Sequence, residues 1–204
     1  MTIDHVIFIV DDLDAASDAL MRNHGLASVA GGRHAGHGTA NRIVPLVDSY
    51  LELMGVVDRT EAEASPMGRW AMAQTAAGLH PAALCLRTDD ADAEGARLGL
   101  EPVAMTRTRP DGVVLSWRLV GANEMFGPLR LPFFIQWDDL ALHPGRSTAP
   151  HGVVPNGIAS IELTGDRRRI EERLGRDDLP IVVGDGEPGV RRVVVATEMG
   201  EIAL

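Results

Sequence analysis

Residues 3–14 read IDHVIFIVDDLD, residues 81–92 read PAALCLRTDDAD and residues 155–166 read PNGIASIELTGD. Each is an apolar, strand-like run that stops at an acidic or Gly-Asp turn, and meeting such a segment three times decides how the rest of the chain is read. A helical pattern follows each one. Residues 15–24 end at Gly25, 91–98 at Gly99 and 167–174 at Gly175, so each helix has an acidic N-cap and a glycine stop. After each helix the apolar period falls from about 3.6 to 2. Strands are expected at 27–30, 41–47 and 50–55, then at 102–108, 113–120 and 132–137, and last at 179–183, 190–197 and 201–204. Each unit is therefore βαβββ. The units span 1–57, 80–142 and 155–204; a connecting helix over 60–77 lies within 58–79, and the Gly-, Pro- and Ser-rich 143–154 reads as a linker.

The composition sets limits on what these units do. The chain has 204 residues, 45% of them hydrophobic, with 19 basic against 29 acidic side chains and a net charge of −10. A chain of this size buries about 70% of its unfolded surface, so no disulfide or metal is needed to hold a core, and any metal would be functional. All 19 basic residues are Arg, which fits the codon usage of a GC-rich bacterial genome. The acidic balance argues against a nucleic-acid partner. The one dense basic run, Arg167-Arg168-Arg169, reads as a solvated helix face. Cys85 is the only cysteine and sits between Leu84 and Leu86. It reads as a core residue of a protein in a reducing compartment. The apolar run Val6 to Val10 is too short to span a membrane and lacks a basic leader. The expected location is cytoplasmic, with no membrane partner.

Strand alternation sorts side chains by face. If Val6, Phe8 and Val10 pack on the first helix, His5, Ile7 and Ile9 face the other way. Leu51 and Leu53 are the matching helix-side pair, so Tyr50, Glu52 and Met54 share a face with His5. A carboxylate flanked by Leu51, Leu53 and Met54 needs a partner if it is buried, which suits a general base. In the second unit the same reading puts Cys85 with Arg87, Ser116 with Arg118 and Phe134 with Gln136 on one face, and Trp117 and Trp137 on the helix side. There is no nucleophile elbow, CxxC, HExxH or dinucleotide fingerprint.

Repeated βαβββ units that open with IDHVIFIVDDLD and close the first unit with YLELMG resemble the vicinal oxygen chelate superfamily, which includes glyoxalase I, extradiol dioxygenases and bleomycin resistance proteins. GGRHAGHGTANRIVPL at 31–46, YLEL at 50–53 and LPFFIQW at 131–137 are similar to its glyoxalase-like domain group. The resemblance implies an α+β fold in which two units pair into a cup-shaped mixed β-sheet, with a shorter third unit beside them. That unit would either cover an open sheet edge or build a homodimer. The resemblance also implies one divalent metal ion held by His, Gln or Glu from the first and last strands of both units. Carried over position by position, His5 and Glu52 match. Ala83 stands where the second unit's first-strand ligand is expected, and Gln136 takes the last-strand place. The implied ligands are His5, Glu52 and Gln136, two good donors and a weak one, which leaves a metal-free pocket open as the other reading.

On this resemblance the expected function is a lyase- or isomerase-type enzyme acting on a small oxygenated metabolite; the superfamily also contains dioxygenases. Glu52 would act as base, with His5 holding an ion or polarising a carbonyl. Arg118 and Gln136 would orient the substrate, and His34 and Asn41 of the glycine-rich stretch would contact it at the rim. The alternative is a non-catalytic protein of the bleomycin-resistance type that sequesters a drug or metabolite.

Overall fold

The computed structural model describes residues 1–74, 79–109, 111–176 and 178–204. The three helices after the repeated strands are α1 (Leu13–His24), α4 (Ala91–Leu98) and α6 (Arg167–Leu174). The carboxylates of Asp12, Asp90 and Asp166 accept first-turn backbone N–H groups of these helices. The helices stop at Gly25, Gly99 and Gly175, whose φ values of 68°, 68° and 67° lie in the left-handed region that glycine adopts without strain.

The first unit supplies β1 (Thr2–Ile9), β2 (Val29–His34), β3 (Thr39–Pro45) and β4 (Tyr50–Val56). The second supplies β5 (His80–Arg87), β6 (Val103–Thr108), β7 (Val114–Val120) and β8 (Phe133–Trp137), with a short helix α5 (Ala122–Met125) between the last two. Together they form one mixed sheet in the order β2-β3-β4-β1-β5-β8-β7-β6. The two halves meet at an antiparallel β1/β5 pair, and the sheet curls until its free edges, β2 and β6, approach each other. This is the cup of an α+β fold.

Two apolar layers follow from the curl. Val6, Phe8, Leu51, Leu53, Leu84, Leu86 and Phe134 pack outward with Leu20 of α1 and Ala91 of α4. Ile7, Ile9, Met54, Ala83, Cys85, Phe133 and Ile135 line the concave side. That side is partly filled by the connection between the units, which the sequence predicts as one helix over 60–77. The structure has two, α2 (Arg59–Ala64) and α3 (Pro66–Gln74), because Pro66 lacks an N–H and forces Ser65 into an extended conformation. The Ser65 hydroxyl then accepts the Gly68 N–H at 2.8 Å. Residues 75–77 of that expected helix lie outside the described residues.

The third unit forms its own four-stranded sheet, β10-β9-β11-β12, from β9 (Pro155–Thr164), β10 (Ile181–Gly184), β11 (Gly189–Thr197) and β12 (Gly200–Ala203). Ile161, Leu163, Val193 and Val195 join the outer core with Val6 and Leu84, so this unit covers the outer face of the central strands rather than an edge of the cup. Arg97 of α4 ties it down by donating to the carbonyls of Glu172 and Arg173 at the end of α6. Among the described residues no helix is long and apolar enough to cross a membrane.

Candidate functional site

The site begins at Asp4, the residue before His5, whose carboxylate is fully buried. One oxygen accepts from His5 Nδ1 at 2.6 Å. The other accepts from Trp137 Nε1 and from His143 Nε2, both at 3.0 Å. Burial alone would raise the Asp4 pKa, but the hydrogen bonds from His143 and His5 outweigh it and hold the carboxyl well below the usual carboxylate range. An ionised Asp4 accepts only, so the proton on the His5 ring at this end sits on Nδ1 and the Nε2 end is turned toward the cup. His143 is fixed as well: its Nδ1 accepts the Gly145 N–H at 3.1 Å, so its single proton is on Nε2 and it is neutral.

The other end of His5 faces Glu52, with Nε2 3.6 Å from Oε2. The second Glu52 oxygen accepts from Asn41 Nδ2 at 2.6 Å and lies 3.6 Å from His34 Nε2. Asn41 cannot be turned around, because its Oδ1 accepts from two groups that only donate, the Gly32 N–H and Arg107 NH1, each at 2.8 Å. His34 is oriented through Nδ1, 2.9 Å from the Thr39 hydroxyl. Burial pushes the His34 pKa down. Glu52 works against that shift, while Arg107 and His37 add to it. His5 stacks on Tyr50 with ring centroids 4.5 Å apart and meets Phe133 edge-on at 5.9 Å. The result is a line, buried up to the half-buried Arg107 at its end, from His143 through Asp4, His5, Glu52 and Asn41 to Arg107.

Two of its members come from places where sequence alternation carries no signal. Arg107 stands on the edge strand β6 of the second unit and reaches across to β3 of the first. His143 comes from 143–154, the stretch expected to be a linker. That stretch packs instead: His143 is 1% exposed, Gly152 donates to the Gly25 carbonyl at 2.7 Å, and the Ala27 N–H donates to His151 at 3.0 Å. The sequence pattern ends β2 at residue 30, before Gly31 and Gly32. They continue it, since a Cβ on Gly31 would sit 2.0 Å from Asn41 Oδ1 and one on Gly32 would crowd Arg107 at 3.2 Å.

The structure brings His5, Glu52, His34 and Asn41 together. It turns Arg118 and Gln136 to the opposite face of the sheet. The Gln136 Oε1 accepts the Ala91 N–H of α4 at 2.9 Å and Arg118 NH2 at 2.6 Å, and Arg118 NH1 donates to Asp92 at 2.8 Å. Trp117 and Trp137 are the side chains that pack toward the concave layer. The expected facing of the last two strands of the second unit is thus inverted. The pairing registers explain it. Asp12 and Asp90 are equivalent N-caps, so His5 corresponds to Ala83 and Ile7 to Cys85. Ile7 stands opposite Glu52 and Cys85 opposite Phe133, so Phe133, not Gln136, occupies the place of Glu52.

A family model described as a glyoxalase-like domain matches residues 3–176. The chain belongs to this family. Within the glyoxalase-like fold, a hypothetical protein from Staphylococcus aureus is similar over 93% of this chain and 88% of its own, at 18% identity and a TM-score of 0.71. Methylmalonyl-CoA epimerase from Mycobacterium tuberculosis aligns with 67% of this chain and 86% of its own, at 18% identity and a TM-score of 0.46. Curated proteins give no match to the chain.

The expected metal ligands of this glyoxalase-like chain do not assemble. Gln136 faces away, and the second half offers Ala83 and Phe133 where the first half has His5 and Glu52, so only two of the expected ligands meet. Asp4, His5 and Cys85 have potential ligand atoms within 4.8 Å of one another. Both Asp4 oxygens, however, are already taken by three hydrogen bonds, and burial pushes the Cys85 thiol well up, with Asp4 and Glu52 adding to the effect. A protonated thiol is a poor ligand and a poor nucleophile. The chemistry this arrangement supports is acid–base, carried by side chains.

Proposed function

We propose that this glyoxalase-like protein is an isomerase- or lyase-type enzyme that moves a proton at a carbon next to a carbonyl in a small oxygenated metabolite. The observation that carries the reading is the buried line Asp4–His5–Glu52, in which each reacting group is oriented by its own partner. Glu52 Oε1 is occupied by Asn41, which leaves Oε2, the oxygen turned toward His5, to take the proton. The step uses the doubly protonated His5 ring: Nδ1–H stays on Asp4, which supports the cation, and Nε2–H donates to the substrate oxygen on which negative charge develops. Proton transfer of this kind contributes roughly 10²- to 10⁴-fold to a rate.

The test is solvent exchange. The protein is incubated in D₂O with 2-oxo and 2-hydroxy carboxylates of three to six carbons, and deuterium entering beside the carbonyl is followed by NMR. Wild type is expected to catalyse exchange into at least one of them. Glu52→Gln is expected to lose about 10²-fold or more while its circular dichroism stays that of wild type. Equal rates for the two proteins would remove Glu52 from the mechanism. Binding without exchange across the set would favour the sequestering alternative.

A further inference from the structure

Beside this line lies a cavity of about 340 Å³, bounded by the start of β2, by β6 and β7, and by the stretch after residue 140. Among the described residues its walls carry Arg107, Arg109, Arg146 and His143 and no carboxylate. In a chain of net charge −10, three guanidinium groups around one cavity are not a by-product of composition. They also differ in what they already hold. Arg109 is paired with Asp111 at 2.6 Å and Arg146 with Asp48 at 2.9 Å. Arg107 has no carboxylate within ion-pair distance among the described residues, and its hydrogen bond is to the neutral Asn41 oxygen. A guanidinium has five N–H groups in a flat fork, so most of this one is left for an incoming group.

We infer that the cavity holds the carboxylate of the substrate on Arg107, which makes the substrate class a small oxygenated carboxylic acid. The inference rests on the proton-transfer reading of Glu52 and specifies what that site takes. Ile43, which lines the cavity, is the cross-strand neighbour of Glu52. A single carboxamide, that of Asn41, separates the Arg107 guanidinium from the Glu52 carboxylate. An acid anchored on Arg107 is therefore held one carboxamide away from the base. The volume limits the ligand: at about 30 Å³ for each water-sized group, it admits roughly a dozen non-hydrogen atoms. Arg109 and Arg146 are already neutralised by Asp111 and Asp48, which leaves Arg107 as the anchor.

The experiment is isothermal titration of wild type, Arg107→Gln, Arg107→Lys and Glu52→Gln with the sodium salts of the same 2-oxo and 2-hydroxy acids, each beside its methyl ester. A hydrogen-bonded charge contributes enough that an acid should bind at least about tenfold more tightly than its ester. Arg107→Gln should lose at least about tenfold for the acid, with Arg107→Lys intermediate. Glu52→Gln removes a nearby negative charge, so it should retain or tighten acid binding. Esters that bind as well as acids, acids that bind Arg107→Gln as well as wild type, or no acid that binds would each overturn the inference. If Arg107→Gln does not fold, the acid-to-ester ratio in wild type and in Arg107→Lys decides: a ratio that falls in Arg107→Lys supports the anchor and an unchanged ratio overturns it. The two readings fail separately. Arg107-dependent binding of acids without deuterium exchange would leave the anchor standing and remove the catalytic reading. Glu52-dependent exchange into esters and acids alike would do the reverse.

Discussion

The two halves of the cup share one backbone plan and divide its work. At matching positions the first half has His5 and Glu52, and the second has Ala83 and Phe133. Both of the latter are buried in the concave apolar layer. The first half therefore carries the titratable pair and the second supplies a dry wall against it, with Phe133 edge-on to the His5 ring. Where the second half does contribute polar groups, they come from positions the repeat does not mark. Trp137 donates to Asp4 from the end of β8, and Arg107 reaches over from the far edge strand. A pseudo-symmetric scaffold thus gives an asymmetric site by filling one of two equivalent places with hydrocarbon.

The strongest way to break this comparison is at Asp4, the anchor that both halves share. Asp4→Ala leaves two imidazoles and an indole N–H buried without their acceptor. Denaturant unfolding should show a loss of about 3–5 kcal/mol; a loss under about 1 kcal/mol would mean that the network adds nothing to the fold. Next in size is the attempt to restore symmetry with Ala83→His and Phe133→Glu together. Placing polar groups in the dry wall should cost about 2–4 kcal/mol. Added Mn²⁺ or Zn²⁺ should return part of that by joining the new pair to His5 and Glu52. Thermal shift with and without the ion measures both effects, and an equal ion-dependent shift in wild type would contradict the asymmetry.

The smallest expected effect is one of pH. The folded protein holds the His34 pKa below its unfolded value of about 6.5. The unfolded chain therefore binds the proton first, and stability falls as pH drops through about 6.5 toward the folded value. Asp4 is depressed too, but its contribution is complete above about pH 4 and is lost only below that. Between about pH 7.5 and 5, wild type should lose denaturant stability that His34→Gln keeps, and parallel pH profiles for the two would remove His34 as the cause.

Much of the fold was legible because caps and stops are local. Asp12, Asp90 and Asp166 start helices and Gly25, Gly99 and Gly175 end them whatever the tertiary context. His5 and Glu52 were legible because each is a polar residue set inside an apolar run, His5 before Val6 and Glu52 between Leu51 and Leu53, and so marks the face away from the helix. In β8, Phe133, Phe134 and Ile135 are all buried, so the strand is apolar on both faces and its pattern sets no phase. A slip of one residue then sends Gln136 and Arg118 to the wrong side. Arg107 and His143 were out of reach for another reason. Their partners are distant in sequence, and the curl that brings β6 to β2 is a property of the closed sheet rather than of any one strand.

The tie from His143 to Asp4 spans 139 positions, and that spacing has a meaning in time. At a synthesis rate of about 5–20 residues per second, roughly 7–28 seconds pass between the two residues leaving the ribosome. During that interval the first strand and its helix can form, but Asp4 has neither His143 nor Trp137 to donate to it. The acid–base line is therefore among the last parts of the cup to mature. A nascent chain carries the residues of the first unit well before it carries His143, and any product released short of residue 143 has the repeat without that tie.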